Sequence, residues 1–520
     1  MAALLCVILC LSGCYQETFI PPVLENSSKE ESSSPSEEES STVESGDKPA
    51  WGGTLRMTAY MPETLNPLEA RQNEVAQLLM LIFMPLLETD AQGVPSSEGV
   101  VKEWQVSLDG YEVTLRIHEN IYWHDGEKLT AKDVVYSLNA LAQAETDHFW
   151  KNQLKTMVSA VLNEAGEVVV TFSNPVDEQR MSALVVPVLP EHIYNVEEPP
   201  KWVPVGSGPY KYVDYQAMRQ LQLEANVRYI GGKPYISELI VDITRSSDAT
   251  HSAFVHGLSH ILYEEVPSGM STENIYHHVV YQTDTHNLQV LYMNQEEEHL
   301  LSDVNMRRAI MYCVDPQELI DWTQVHQGTP SESVVPSWLA EDALESTYGV
   351  DYAKAYSLLG DNKMAELTLI VSEEEEVAIA QGRLIYEQLA EIGLRVKVVQ
   401  LEHEEWLEAL EDGEYDLAFG SCRVSSAQDL YTLLGSEGSG NYTGRTDDEL
   451  DRLLSEVAAA TGTQQSVLAY EALAQYAWET LPVAPLYYSK QAVVVSKELG
   501  GELSPSPYHI YKGIEDLYFK

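Results

Sequence analysis

The sequence predicts an α/β fold, on three observations. Helices and strands alternate through residues 367–419, which is the βαβ rhythm of a mostly parallel sheet. The first half instead alternates apolar and polar residues in short runs closed by turn pairs such as Asp109-Gly110, the pattern of antiparallel hairpins. The chain beyond about Trp51 is too long for one simple core, so two or three domains are expected.

The first residues form an apolar run that stops at Leu11-Ser12-Gly13-Cys14. It is far short of the roughly 20 apolar residues of a membrane span, and it reads as an export leader. Leu11-Ser12-Gly13-Cys14 resembles the bacterial lipobox, whose small residues admit the processing peptidase. That likeness implies a lipoprotein signal peptide over 1–14, lipidation of Cys14 and a mature chain that starts there. A plain secretory leader or an N-terminal helix with a chance cysteine is the alternative. No Lys or Arg precedes the apolar run, which points to a translation start further upstream. Residues 15–50 carry a Glu and Ser run at 27–41 and almost nothing to bury. They are expected to be a disordered acidic tether that lets a folded body stand off the membrane.

The body opens with a strand over 53–59, broken at Tyr60-Met61-Pro62, and helical spacing over 74–87. Strands at 105–107 and 112–117 flank the Asp109-Gly110 turn. Thr130 with Asp133 three positions on is a capping box, and Val134, Leu138 and Leu141 give the helix behind it an apolar face. A strand at 168–172, a short helix after Pro190, strands at 210–215, 220–225 and 239–243, and a helix over 249–256 follow. An apolar strand over 288–293 comes after Thr285-His286-Asn287. Helices are then expected at 304–312, 316–323, 351–359, 378–392, 405–410, 447–458 and 466–480. Strands are expected at 367–371, 395–401, 416–419 and 483–488.

The chain holds 81 acidic against 31 basic residues, a net charge of −50 that repels nucleic acid and anionic lipid alike. Solubility of an exposed protein accounts for this acidity, and a cationic ligand is the other reading. Cys6 and Cys10 leave with the leader and Cys14 is acylated, so Cys313 and Cys422 alone remain in the body. A disulfide scaffold is excluded, while pairing of these two stays open beside two separate buried thiols.

Taken in order, the landmarks resemble the peptide/nickel/opine-binding family of ABC importer solute-binding proteins. The likeness runs from Gly52 almost to the end. Its strongest block is Trp104-x-x-Ser107-x-Asp109-Gly110 through Leu115-Arg116, then His124-Asp125-Gly126 and Leu129-Thr130-Ala131-x-Asp133-Val134. Gly206-Ser207-Gly208-Pro209-Tyr210, the segment 226–234, Asp303-x-x-Met306-Arg307-Arg308-Ala309-Ile310 with Asp315, Gly413-x-Tyr415-Asp416-Leu417 and Leu481-Pro482-x-x-Pro485-Leu486 resemble further blocks. Each alone is a common turn or cap, and together they carry the resemblance.

The resemblance implies an α/β, two-lobed periplasmic-binding-protein-like fold of the three-domain type, with a hinge and an interlobe ligand cleft. One lobe would comprise a discontinuous domain of 51–88, 203–285 and 489–520 with a domain of 89–202 inserted in it. The other lobe would span 286–488. The protein would be a monomer on the extracytoplasmic face of the cell membrane, anchored by its N-terminal lipid. It would deliver a peptide or other small solute to ABC permease subunits with a cytoplasmic ATPase. Peptide-binding relatives fix the ligand's ammonium with an aspartate after the Tyr-Asp-Leu strand, in a segment similar to Gly420-Ser421-Cys422-Arg423-Val424-Ser425. Val424 stands at the aspartate's position and Ser421 at that of a neighbouring tryptophan. Arg423 is open to two readings, a carboxylate partner or a plain surface arginine. Tyr60 and Met61, Thr285 to Asn287, and Tyr487 and Tyr488 are further cleft candidates.

The resemblance also includes nickel binding, and the chain has 14 histidines. His256 and His260 have i, i+4 spacing, but Gly257 ends that helix between them, and no clustered Cys/His pattern accompanies His277-His278 in the sequence, so no metal or other cofactor is expected. His403-Glu404-Glu405-Trp406-Leu407 lacks the second histidine of a zinc-protease helix, and neither G-x-S-x-G nor a phosphate-cradling G-x-x-x-x-G-K occurs. No catalytic residue is expected. A receptor that senses its ligand without feeding uptake fits the same residues.

Overall fold

The computed structural model describes residues 49–520 except 92, 145–147, 152, 177–180, 265–277, 324–327, 341–343, 345–347 and 375. Cys14, nearly all of the expected tether and His277 lie outside the described residues. No helix among them is long and apolar enough to cross a membrane.

One eleven-stranded sheet runs through the body. At one end Arg395–Leu401, Glu366–Ser372 and Leu417–Arg423 are parallel neighbours, the βαβ unit expected from the alternation. At the other end Thr54–Tyr60 pairs in parallel with Glu238–Thr244, which continues antiparallel into Gln220–Ala225 and Tyr210–Gln216. Two long strands join these ends: His278–Met293 goes out and Ala484–Ser496 returns, side by side and antiparallel. The sheet is therefore mixed rather than mostly parallel, because a chain that crosses out and comes back must run both ways.

Strand periodicity sorts the second half into layers. Leu291, Met293, Leu369, Val371, Leu417 and Phe419 face one core, with Met306 and Ile310 of Val304–Met311 and Ile385 and Leu389 of Glu376–Glu391. Leu288, Val290, Tyr292, Ile370 and Ala418 face the other. There Asp448–Ala459 inserts Leu450, Leu453, Leu454 and Val457, an i, i+3, i+4, i+7 stripe. Arg307 is buried beneath this half, its guanidinium donating to the carbonyls of Leu301, Ser302 and Thr480 at 2.6, 2.9 and 2.6 Å. It ties the helix that carries it to the C-terminal end of Thr463–Thr480.

The first half has one large core, shared by the sheet edge and a separate four-stranded antiparallel sheet ordered Val101–Val106, Glu112–Ile117, Val168–Phe172, Met157–Leu162. The Asp109-Gly110 turn forms as expected, with Gly110 at φ +77° and its amide on the Ser107 carbonyl at 2.9 Å. The capping box forms too: Asp133 Oδ2 accepts from the Thr130 amide and hydroxyl, both at 2.8 Å.

The helix expected over 74–87 covers only Asn73–Leu79. Beyond it the backbone is claimed by distant segments. Ile82 and Leu81 carbonyls accept from Gly208 and Tyr210 amides at 2.8 and 3.0 Å, and Leu86 donates to Val186 at 2.8 Å. The glycines of Gly206-Ser207-Gly208 permit this approach, since a Cβ on Gly206 would stand 2.0 Å from the Ile82 oxygen. Cys313 and Cys422 are free thiols, the first in one core of the second half and the other against its opposite core.

Candidate functional site

The outgoing strand breaks register midway along its pairing with the return strand. Asp284 faces Lys490 and Leu288 faces Tyr488, so Thr285, His286 and Asn287 together oppose Ser489 alone. Thr285 fixes the bulge, its hydroxyl donating to the Ser489 carbonyl at 2.7 Å and accepting from the Asn287 amide at 3.1 Å. On the other side the His286 carbonyl accepts from the Val424 amide at 2.7 Å, and Asn287, Leu288 and Gln289 face Arg423, Cys422 and Ser421. Seven candidates from two separate parts of the reading thus lie on one strand pair or directly after it.

The bulge directs His286 into a group of rings. Its centroid is 5.1 Å from Trp338 and 5.0 Å from Tyr508, and Trp338 is 5.3 Å from Tyr488. His286 is 7% exposed, and neither ring nitrogen has a hydrogen-bond partner among the described residues. Burial, and then the Arg423 charge, hold its pKa down at about 3, so the imidazole is neutral. Tyr508 belongs to the core of the first half, whereas Trp338 packs on a core of the second. The ring group therefore spans the two halves where the crossover strands join them.

Arg423 is exposed at the end of Leu417–Arg423 and makes one weak contact, Nε to Ser425 Oγ at 3.4 Å. The neighbouring carboxylate, Asp429, is turned away to accept from the Ser425 amide and hydroxyl at 2.8 and 2.6 Å. Ser421 is exposed, while Val424 is fully buried. Cys422 lies 3.7 Å from the Leu288 carbonyl, with burial and then Asp429 pushing its thiol up to about 12.

The two return-strand tyrosines part company. Tyr487 is fully buried in one core, where its hydroxyl accepts from Gln381. Tyr488 enters the other core beside Trp338 and donates to the Val334 carbonyl at 3.1 Å. Tyr60 and Met61, 40% and 41% exposed, stand on a different strand pair, at the end of Thr54–Tyr60. No group of three or more His, Cys, Asp or Glu among the described residues is arranged to hold a metal ion.

Tyr508 and Trp338 were not legible as site residues. Tyr508 sits in an aperiodic segment held by side chains far along the chain. Gln77 Nε2 donates to its carbonyl at 3.3 Å, Gln491 Nε2 to that of Pro507 at 3.2 Å, and His509 meets Glu88 at 2.8 Å. Its one local signal was an aromatic preceded by the prolines at 505 and 507.

Two halves with separate cores, joined by a pair of crossover strands with buried polar and aromatic groups at the crossing, define a two-lobed solute-binding protein. Residues 97–444 match bacterial extracellular solute-binding proteins, family 5 Middle, and the chain belongs to that family. Oligopeptide-binding protein AppA of Bacillus subtilis is 24% identical over 504 residues, covering 89% of this chain and 91% of that protein. The crystal structure of ABC transporter substrate-binding protein CtaP from Listeria monocytogenes superposes with a TM-score of 0.77 at 20% identity, over 90% of this chain and 99% of that one. HbpA2 from Haemophilus parasuis gives the same TM-score, 0.77, at 20% identity over 90% and 100%. At such identity the two structures share the fold alone with this chain.

Proposed function

We propose that this protein is a lipoprotein, anchored through Cys14 to the extracytoplasmic face of the cell membrane, that captures a peptide or peptide-like solute and delivers it to an ABC permease. The two lobes are read as 51–88, 203–285 and 489–520 with 89–202 inserted, and as 286–488. The observation that carries the reading is the ring group His286, Tyr508 and Trp338, contributed by the crossover and by both halves. Parting the lobes separates Tyr508 from His286 and opens the space between them, and a bound solute favours closure by its contacts to both sides. The name of the Bacillus relative, an oligopeptide-binding protein, supports a peptide-like solute. The protein acts by binding, as a monomer, and passes its ligand on unchanged.

The test is native mass spectrometry of protein purified without denaturation, then thermal-shift screening with peptides, amino-acid derivatives and divalent metals. A co-purifying peptide, or stabilisation by peptides, is expected. Stabilisation by Ni²⁺ and by no organic solute sinks the peptide-like reading, and conversion of a peptide into fragments sinks the binding-protein reading. Cys14→Ser is expected to move the protein out of the membrane fraction with solute binding intact. Retention in that fraction rules out the lipid anchor.

A further inference from the structure

Arg423 and His286 stand out against the charge of this chain. Acidic residues outnumber basic ones by 81 to 31, yet no carboxylate lies within ion-pair distance of Arg423 among the described residues. Its charge nonetheless reaches two buried rings, those of His286 and Tyr508. His286 is more than nine-tenths buried, and neither nitrogen has a hydrogen-bond partner among the described residues. A buried imidazole without a partner is costly, and a structure retains it where a further group completes it. Asp429, on the helix that follows Arg423, already accepts two bonds from Ser425.

We propose that Arg423 and His286 form an anion subsite that takes the leading carboxylate of the solute, between the rings of Tyr508 and Trp338. This rests on the solute-capture reading above and adds the orientation and charge of what is captured. A guanidinium offers paired N–H donors to a carboxylate, and the neutral imidazole adds a third donor from one nitrogen. Tyr508 and Trp338 exclude water from that contact when the lobes close, which strengthens it. An ammonium in the same place meets the Arg423 charge and no free carboxylate. The solute is therefore a carboxylate whose acid end enters this subsite, and a free amino terminus contributes nothing to its affinity.

Isothermal titration with one peptide sequence in four forms tests this: both ends free, N-acetylated, C-amidated, and blocked at both ends. In the natural protein C-amidation is expected to weaken binding at least tenfold and N-acetylation less than threefold. Arg423→Gln should bring the free acid down to the level of the amide without moving the thermal midpoint. His286→Phe, which keeps a ring in the stack, should weaken the free acid and leave the amide unchanged. Loss of binding on N-acetylation, or discrimination that survives in Arg423→Gln, overturns the subsite while leaving solute capture standing. If none of the four peptides binds, the peptide-like reading falls. Stabilisation of the natural protein but not of Arg423→Gln by succinate then upholds the subsite by itself, and its absence overturns both.

Discussion

His124 Nε2 lies 3.1 Å from the carbonyl oxygen of Gly208, a bond between segments 84 residues apart. The Gly206 amide donates to Nδ1 of the same ring at 3.3 Å, so the proton sits on Nε2 and the imidazole is neutral. One histidine thereby pins both glycines of the turn that rests on Ile82.

Burial holds the His124 pKa at about 4, below its ordinary value of 6.5. The unfolded chain binds a proton below pH 6.5 that the folded chain refuses. The stabilisation is therefore complete above that pH and is lost as pH falls toward 4, by on the order of 2–3 kcal/mol. His286 adds to the loss with the same sign. Urea unfolding at pH 7, 6 and 5 should show falling stability in the natural protein and a shallower fall in His124→Asn. Equal slopes in the two proteins exclude His124 as a source of the pH dependence.

Neighbouring glycine and serine in that turn should respond in opposite ways. A Cβ at Gly206 collides with backbone that cannot rotate aside, so Gly206→Ala should cost about 3 kcal/mol or prevent folding. Ser207 is buried with a hydroxyl that has no partner among the described residues, so Ser207→Ala should be neutral or slightly stabilising. Thermal midpoints measured side by side decide the matter. A larger loss in the serine variant contradicts this packing of the turn on Ile82.

Adjacent arginines should differ as sharply. Arg307→Met takes the donor from three carbonyls, that of Leu301 buried and those of Ser302 and Thr480 partly so, and should cost about 3 kcal/mol, with Arg307→Lys recovering part. Arg308 is also bonded to a helix-end carbonyl, that of Glu479 at 2.7 Å, but at the surface, where water replaces it. Arg308→Ala should cost under about 1 kcal/mol. Chemical denaturation of the three variants checks the ranking.

Periodic elements were the legible ones. Leu450, Leu453, Leu454 and Val457 announced their helix, and the strand expected at 395–401 forms over that span. Local pattern failed where distant backbone decides. Helical spacing continues past Leu79, yet the carbonyls of Leu81 and Ile82 serve Tyr210 and Gly208 instead. The outgoing strand was visible only as its apolar end, 288–293. Residues 278–287 are strand because they lie against residues some 200 positions later, which no window along the chain reports. In the site, Thr285 to Asn287 showed as a polar break before an apolar strand. Tyr508 and Trp338 lacked any period to mark them, because loops and side-chain amides elsewhere set their places.

The amide of Gln77 is the clearest of those placements. It is buried on the helix Asn73–Leu79, its Nε2 donating to the Tyr508 carbonyl and its Oε1 accepting from the Ile510 amide at 2.9 Å. A donor and an acceptor on one side chain thus clamp the backbone on both sides of His509. Gln77→Leu fills the same space but leaves both backbone groups unpaired, a cost of about 2 kcal/mol. Gln77→Glu keeps the acceptor for Ile510 and turns an oxygen against the Tyr508 carbonyl, so it should be the worse of the two. If the clamp exists to hold the Tyr508 ring against His286, Gln77→Leu should also weaken solute binding severalfold, while Tyr508→Phe, which keeps the ring, should bind nearly as well as the natural protein. Calorimetric affinities beside unfolding midpoints separate the two roles: a Gln77→Leu protein that is less stable yet binds with unchanged affinity shows that the clamp serves folding alone.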